Sequence, residues 1–400
     1  MGSSLTWLDF SEADQKRSRE VIQLFSLRES RDELGIGVVR DILSDAMFPG
    51  TSVLHQRARY LLFIPWLFKI GCQKKTGSDL LKYVDTCERK LIVQLKNGSD
   101  LVGLIGREAG IKLKVLPSVM YWNGLQRWEI LRIKGTRQFV AEFRNARNRG
   151  DDAATEGVEE KRSLWDRNIP PAPDGFPNND AMTFNLTPLE AGWLSERILD
   201  TCGGSVLGWC AQNGFVPNNT AFPWDETGFE SLPTDLEELV CHAKNFSLLI
   251  QGAALIYNFL LATKREDLGF DALERSEAFR QEFDEWADVV RAGHSFSDWD
   301  FEAFWQFVVQ RSGGRGLPQS FVDSWLAMCR SSNVADLISN PEALKLIEKR
   351  ETTVKGSKSR LANEKLLRNW GGRSGTRRLS YRWAEVQMLL SDINDGLNRA

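Results

Sequence analysis

Apolar and polar positions alternate most densely between Arg31 and Phe68, in RDELGIGVVRDILSDAMFPGTSVLHQRARYLLFIPWLF. The amphipathic run from Val38 to Phe48 predicts a helix. Upstream, Ser11 and Asp14 have the spacing of a capping box, ahead of an apolar stripe at Val21, Ile22, Leu24, Phe25 and Leu27. That pattern predicts an earlier helix, broken by Leu34-Gly35-Ile36-Gly37. Helix, apolar-Gly-apolar-Gly, helix is the outline of a helix-hairpin-helix element, in which backbone amides at a helix N-terminus hold a DNA phosphate. A plain interhelical turn with glycine at the C-cap explains the same four residues.

Further along, Asp79 to Asn97 reads as an amphipathic helix that Asn97-Gly98 ends. In PSVMYWNGLQRWEIL, Tyr121, Trp122, Leu125, Trp128 and Ile130 recur near helical spacing, so this stripe reads as core, with Asn123, Gln126 and Arg127 on the other face. Arg137 to Phe143 reads as a strand. Thr187 caps a helix that has Pro188 at its first position and Glu190 at its third. Phe246 to Ala262 is apolar almost all round. At seventeen residues, with Gln251 and Asn258 inside, it is short for a bilayer span and reads as a buried central helix. Trp286, Trp299, Trp305 and Trp325 are expected to anchor the core around it.

The pattern predicts a mainly α protein of two lobes, with at most a small β element. Residues 1–143 form an N-terminal, catalytic or DNA-facing lobe, 144–182 a linker, and 183–400 a C-terminal helical lobe. The linker is placed by RNARNRGDDAATEGVEEKR and IPPAPDGFPNND, which are polar and rich in Pro, Gly and Asn.

Composition and charge sharpen this picture. Four hundred residues, 42% hydrophobic, can bury more than one core. A formal charge of −3 excludes a globally basic nucleic-acid coat protein. The charge is polarised, however: residues 350–382 carry ten Lys or Arg against Glu351 and Glu364, while 266–302 carry twelve Asp or Glu against three Arg. The six cysteines form no CxxC, and the three histidines complete no zinc-ligand spacing, so reduced, buried thiols and no metal are expected. The N-terminus lacks the charged and apolar regions of a signal peptide. Gly2 and Thr6 fit a loose acylation pattern without the basic patch that would support it. A cytoplasmic protein with no membrane partner is expected.

No phosphate-binding glycine loop, dinucleotide fingerprint, HExxH or GxSxG occurs. Asp41 and Asp45, one turn apart, lack the companion lysine of a metal nuclease. What remains is acid–base work by carboxylates without cofactor or metal. Cleavage of an N-glycosidic bond builds positive charge on the sugar, which one carboxylate can stabilise while it orients a water. Glu33 and Asp32 lead the candidates because glycines beside them permit close approach, with Asp41, Asp45 and Glu108 behind. Arg57 and Arg59 follow the turn Pro49-Gly50-Thr51-Ser52, whose hydroxyls and amides suit a phosphate. Arg360, Arg377, Arg378 and Arg382, interleaved with Trp370 and Tyr381, suit a nucleic-acid backbone.

At RDELGIG, FPGTS, RARYLLFIPW, GREAG, PSVMYW and RLSYRW the chain resembles a bacterial family found in phage-defence loci. Some of its members resemble DNA glycosylases that excise glucosylated hydroxymethylcytosine. The resemblance implies a double-stranded phage DNA partner with modified cytosines, basic surfaces facing DNA, and carboxylates facing a flipped nucleotide. It implies a roomy pocket, for which Tyr60, Trp66, Tyr121, Trp122, Asn123 and Glu108 are the candidates, with Arg107 beside them on the DNA. The alternative is a non-catalytic DNA-recognition subunit of a defence system. The sequence leaves oligomeric state open.

Overall fold

The computed structural model describes residues 32–98, 100–148, 164–178, 182–271, 273–293, 296–331 and 333–399, with side chains from 143 to 148 not described. The capping box at Ser11, the stripe from Val21 to Leu27 and Arg31 lie outside these residues, and with them the first helix of the suggested helix-hairpin-helix. The longer helices, in chain order, are α1 (Gly37–Met47), α2 (Tyr60–Lys74), α3 (Gly77–Lys96), α4 (Arg137–Asn148), α5 (Pro188–Cys202), α6 (Thr234–Asp267), α7 (Ser276–Ala292), α8 (Phe301–Arg311), α9 (Gln319–Ser331), α10 (Pro341–Lys355) and α11 (Trp383–Leu397). Short helical turns connect several of them. Among the described residues there is no strand; a single antiparallel bridge, Leu131 to Trp165, is the β contact recorded there. The protein is mainly α. The strand expected at Arg137 to Phe143 is helical instead: the Thr136 hydroxyl opens α4 by accepting from the Phe139 amide at 3.1 Å, and Arg137, Gln138, Ala141 and Glu142 favour a helix.

Among the described residues the chain divides into two compact units, one within 45–232 and 382–399, the other within 32–44 and 233–381. These divisions differ from the boundaries read in the sequence. Residues 164–178, read as linker, belong to the first unit's core: Trp165, Ile169 and Phe176 are buried, and the Pro170 carbonyl accepts from the Trp66 indole at 2.8 Å.

The first unit is built on α2, which buries ten of its residues. Its aromatic rings tile with Tyr121, Trp122, Trp165, Phe176 and Phe184 at centroid distances of 5.3 to 6.3 Å, the offset and tilted geometries that ring quadrupoles favour. Helix α5 starts as its sequence predicts. The Thr187 hydroxyl accepts from the Glu190 amide and the Glu190 carboxylate accepts from the Thr187 amide.

The second unit is organised around α6. By length and composition α6 could span a bilayer, but 72% of its most apolar window is buried within the molecule. Three of the four tryptophans expected as anchors bond to it, while Trp305 donates to Asp323 of α9 at 2.8 Å. Trp286 and Trp325 donate to the carbonyls of Leu248 and Leu249, each at 2.8 Å, and Trp299 donates to Nδ1 of His242 at 3.0 Å. Gly252 lets the Trp286 ring press on the helix, since a Cβ there would meet Trp286 carbons at 2.3 Å.

Candidate functional site

The glycine-flanked acids lie in the second unit, where α1 begins. Asp32 caps that helix, with Oδ1 accepting from the Ile36 amide at 2.6 Å and Oδ2 from the Gly37 amide at 2.8 Å. Gly35 turns the chain with φ of 65°. Arg350, from α10, holds that turn by donating to the carbonyls of Leu34 (2.7 Å) and Gly35 (3.1 Å). The turn is thus fixed by a side-chain cap from within and a guanidinium from outside.

Glu33 points the other way. It is 7% exposed and is held by Arg360 at 2.7 Å and Lys355 at 3.0 Å. The network continues inward. Glu351 accepts from the Arg360 amide at 2.8 Å, from the Ser359 hydroxyl and from the Tyr257 hydroxyl at 3.4 Å. Burial, then the negative charges of Glu33 and Glu351, raise the Tyr257 hydroxyl above its ordinary pKa, so it stays a neutral donor.

The opposite wall is an extended segment, 374–381, laid antiparallel along α6. Asn258 bonds the Ser374 backbone, Gln251 donates to the Thr376 carbonyl at 3.3 Å, Ser247 to the Leu379 carbonyl at 3.1 Å, and the Tyr381 hydroxyl to the Ala243 carbonyl at 2.9 Å. These helical positions share one face. Between the segment and the Asp32 turn lies a small cavity of about 60 Å³, room for about four or five waters. Asp32, Glu33, Arg40, Gln251, Tyr257 and Arg377 are among its lining residues.

The remaining predicted site residues are placed elsewhere or otherwise engaged. Asp41 pairs with Arg40 at 2.9 Å, and Asp45 with Arg382 at 2.7 Å. Arg57 and Arg59, expected on a phosphate, are buried cations of the first unit. Arg57 is shared between Asp392 (2.9 Å) and Asp100, and Arg59 pairs with Glu190 at 2.8 Å. The Thr51 hydroxyl donates to the Phe48 carbonyl and the Ser52 hydroxyl accepts from the Leu54 amide, so both serve their own turn.

The expected base pocket is core. Tyr60 accepts from the Ile105 amide at 3.1 Å, Tyr121 accepts from the Gln56 amide at 2.7 Å, and Trp66 and Trp122 donate to the carbonyls of Pro170 and Gly135. With polar atoms satisfied and rings packed on one another, these four have no face left for a base. Asn123, Arg107 and Glu108 are exposed.

Half of the basic stretch is spent internally as well. Lys355 and Arg360 pair with Glu33, Arg373 with Glu274 and Glu282, and Arg382 with Asp45, while Arg350 caps the turn. Arg378 is half-buried; Arg377 is exposed at the cavity. Sequence reasoning did not single out Arg40, Ser247 or Tyr257 for the site. The available signal was Gln251 and Asn258, polar residues two turns apart on an otherwise apolar helix.

A helical protein with a carboxylate-and-arginine cavity in one of two compact units is the class these features define. The chain belongs to DUF6361, a family of unknown function, whose model matches residues 2–396. No curated protein and no solved structure matches it.

Proposed function

We propose that the protein is a DNA N-glycosylase that excises a bulky modified base, glucosylated hydroxymethylcytosine being the substrate its sequence resemblance implies, and leaves an abasic site. The observation that carries this reading is the placement of Asp32. Its carboxylate lines a cavity, is held rigidly by two backbone amides, and keeps about half of its four or so acceptor sites for a sugar or a water. Glu33, which led on sequence, is demoted to a positioning role because two cations, Arg360 and Lys355, already neutralise its charge, whereas the partners of Asp32 are uncharged amides.

In this reading the flipped nucleotide enters beside the exposed Arg377, whose guanidinium suits its phosphates. Asp32 stabilises the positive charge that develops on the deoxyribose and orients the attacking water on the opposite face from the leaving base. Gln251 and Tyr257 offer hydrogen bonds to base or sugar hydroxyls. At about 60 Å³ the cavity is smaller than a glucosylated base, so binding requires segment 374–381 to shift.

The test uses duplex DNA with and without glucosylated cytosines, in EDTA, followed by alkali. Strand breaks appearing only after alkali, and only with modified DNA, are expected. Asp32→Asn is the informative variant. It keeps one of the two oxygens that accept from the Ile36 and Gly37 amides and gives up the other, so its urea midpoint is read beside its rate. Under conditions where it remains folded it is expected to lose at least about a hundredfold in rate. Abasic sites formed as fast by Asp32→Asn as by the natural chain would sink the assignment.

A second reading, DNA recognition without chemistry, is favoured by the pairing of Glu33 with Arg360 and Lys355. It predicts a salt-dependent gel shift and no abasic sites from any variant.

A further inference from the structure

The stretch with the highest positive charge in the sequence spends half of its cations on internal partners, whereas in a less conspicuous set in the first unit most cations have no carboxylate partner among the described residues. Helix α3 presents Lys82, Arg89, Lys90 and Lys96 within about a third of its circumference. The loop from Gly106 to Lys114 packs beside this face. Arg89 donates to the Leu113 carbonyl at 2.7 Å and to that of Ile111, and a Cβ on Gly106 would lie 3.1 Å from Ile92 and 3.2 Å from Leu113. Lys112 and Lys114 flank the anchored Leu113 and are exposed, as are Lys90, Lys96 and Arg107.

The local acids are occupied. Asp79 meets Lys82, Asp85 meets Arg137, Asp100 meets Arg57, and Glu88 is buried against Ser118. Among the described residues no carboxylate pairs with Lys90, Lys96, Arg107, Lys112 or Lys114; Glu108 is the exposed acid nearby in sequence.

We propose that this face of α3, together with the 106–114 loop, docks on the phosphate backbone of a duplex nucleic acid. Helix α3 is about 30 Å long, the length of about nine base pairs along a duplex axis. Uncompensated lysines along that length suit a regular row of phosphates, which they contact without reading sequence. The apolar residues exposed on the same face, Val93 (45%) and Ile111 (60%), stand singly. An anionic membrane surface asks for a continuous apolar stripe beneath the cations, and α3 has none. The proposal takes from the glycosylase reading only its choice of DNA as partner.

The experiment measures binding of the full chain to a short labelled duplex of unmodified sequence by fluorescence anisotropy across a salt series. Combining Lys90→Gln, Lys96→Gln, Lys112→Gln and Lys114→Gln is expected to weaken binding at least tenfold at moderate salt. It should also make the log–log salt slope shallower by about 3 to 4, near 0.9 for each phosphate that is no longer neutralised. A control that removes two exposed lysines elsewhere, Lys345→Gln with Lys349→Gln on α10, is expected to change neither. An unchanged slope in the fourfold variant overturns the proposal, as does binding to phosphatidylserine vesicles without binding to duplex. Duplex binding that depends on these lysines, with no abasic sites from modified DNA, supports the surface while the glycosylase reading fails.

Discussion

Asn258 and Ser374 form a two-point bond of the kind two paired strands make. The Asn258 amide donates to the Ser374 carbonyl, and its carbonyl oxygen accepts from the Ser374 amide, each at 2.7 Å. A helix side chain thereby acts as a strand edge for an extended segment, which is how segment 374–381 can run through the second unit without a sheet. The side chain also donates to the Ala254 carbonyl, so its polar capacity is nearly used up.

Asn258→Ala leaves a buried backbone N–H and C=O of Ser374 without partners. Such groups cost about 1–3 kcal/mol each, so the second unit is expected to lose about 2–6 kcal/mol, read by urea denaturation. Because segment 374–381 forms one wall of the cavity, the variant should also show faster amide exchange at Thr376 and Leu379 than at α6 positions. Loss of stability with no change in that exchange would mean that Asn258 supports the helix alone.

Arg57 tests the difference between a structural and a DNA-facing cation. It is buried, bonds both oxygens of Asp392 at 2.9 and 3.0 Å, and also meets Asp100 and the Val102 carbonyl. Arg57→Ala strands the buried Asp392, and breaking such pairs costs about 3–5 kcal/mol. A sharply lower urea midpoint is expected, with the duplex-binding salt slope unchanged at temperatures where the variant remains folded. A stable variant with a shallower slope would return Arg57 to the role its turn suggested.

Much of the helical scaffold was legible in the chain, because periodicity and capping act locally. The Thr187 box, the helix from near Val38 and the buried core of α6 all follow from spacings within one or two turns. Arg137 to Phe143 misled because seven residues are too few to separate the two periods. The site was less legible, since a residue type does not reveal its partner. Tyr60 and Tyr121 look like stacking platforms until their hydroxyls are found on backbone amides. The ten cations of 350–382 look like one DNA surface until Glu33, Glu274, Glu282 and Asp45 are found across from four of them, Lys355, Arg360, Arg373 and Arg382. Asp32 was visible because its cap partners, Ile36 and Gly37, are its neighbours in sequence.

His55 gives the first unit a defined acid sensitivity. Its ring is 1% exposed and lies parallel to Tyr121, with centroids 4.2 Å apart and planes at 11°. Neither nitrogen has a hydrogen-bond partner in good geometry, although the Met120 backbone lies near enough to favour the protonated ring. Burial dominates and, with the positive charge of Arg382, pushes the pKa down from 6.5 to about 3. The unfolded chain therefore takes up this proton first as pH falls, so stability is lost progressively from pH 6.5 toward 3 and is insensitive to this group above that window. The loss is on the order of 5 kcal/mol at most, because each tenfold weakening of proton affinity is worth about 1.4 kcal/mol. Urea midpoints of the natural chain and of His55→Phe, which keeps the stack on Tyr121 but cannot titrate, are expected to diverge steadily below pH 6.5, the natural chain falling faster. Parallel curves through that range would show that the ring escapes its burial before it is protonated.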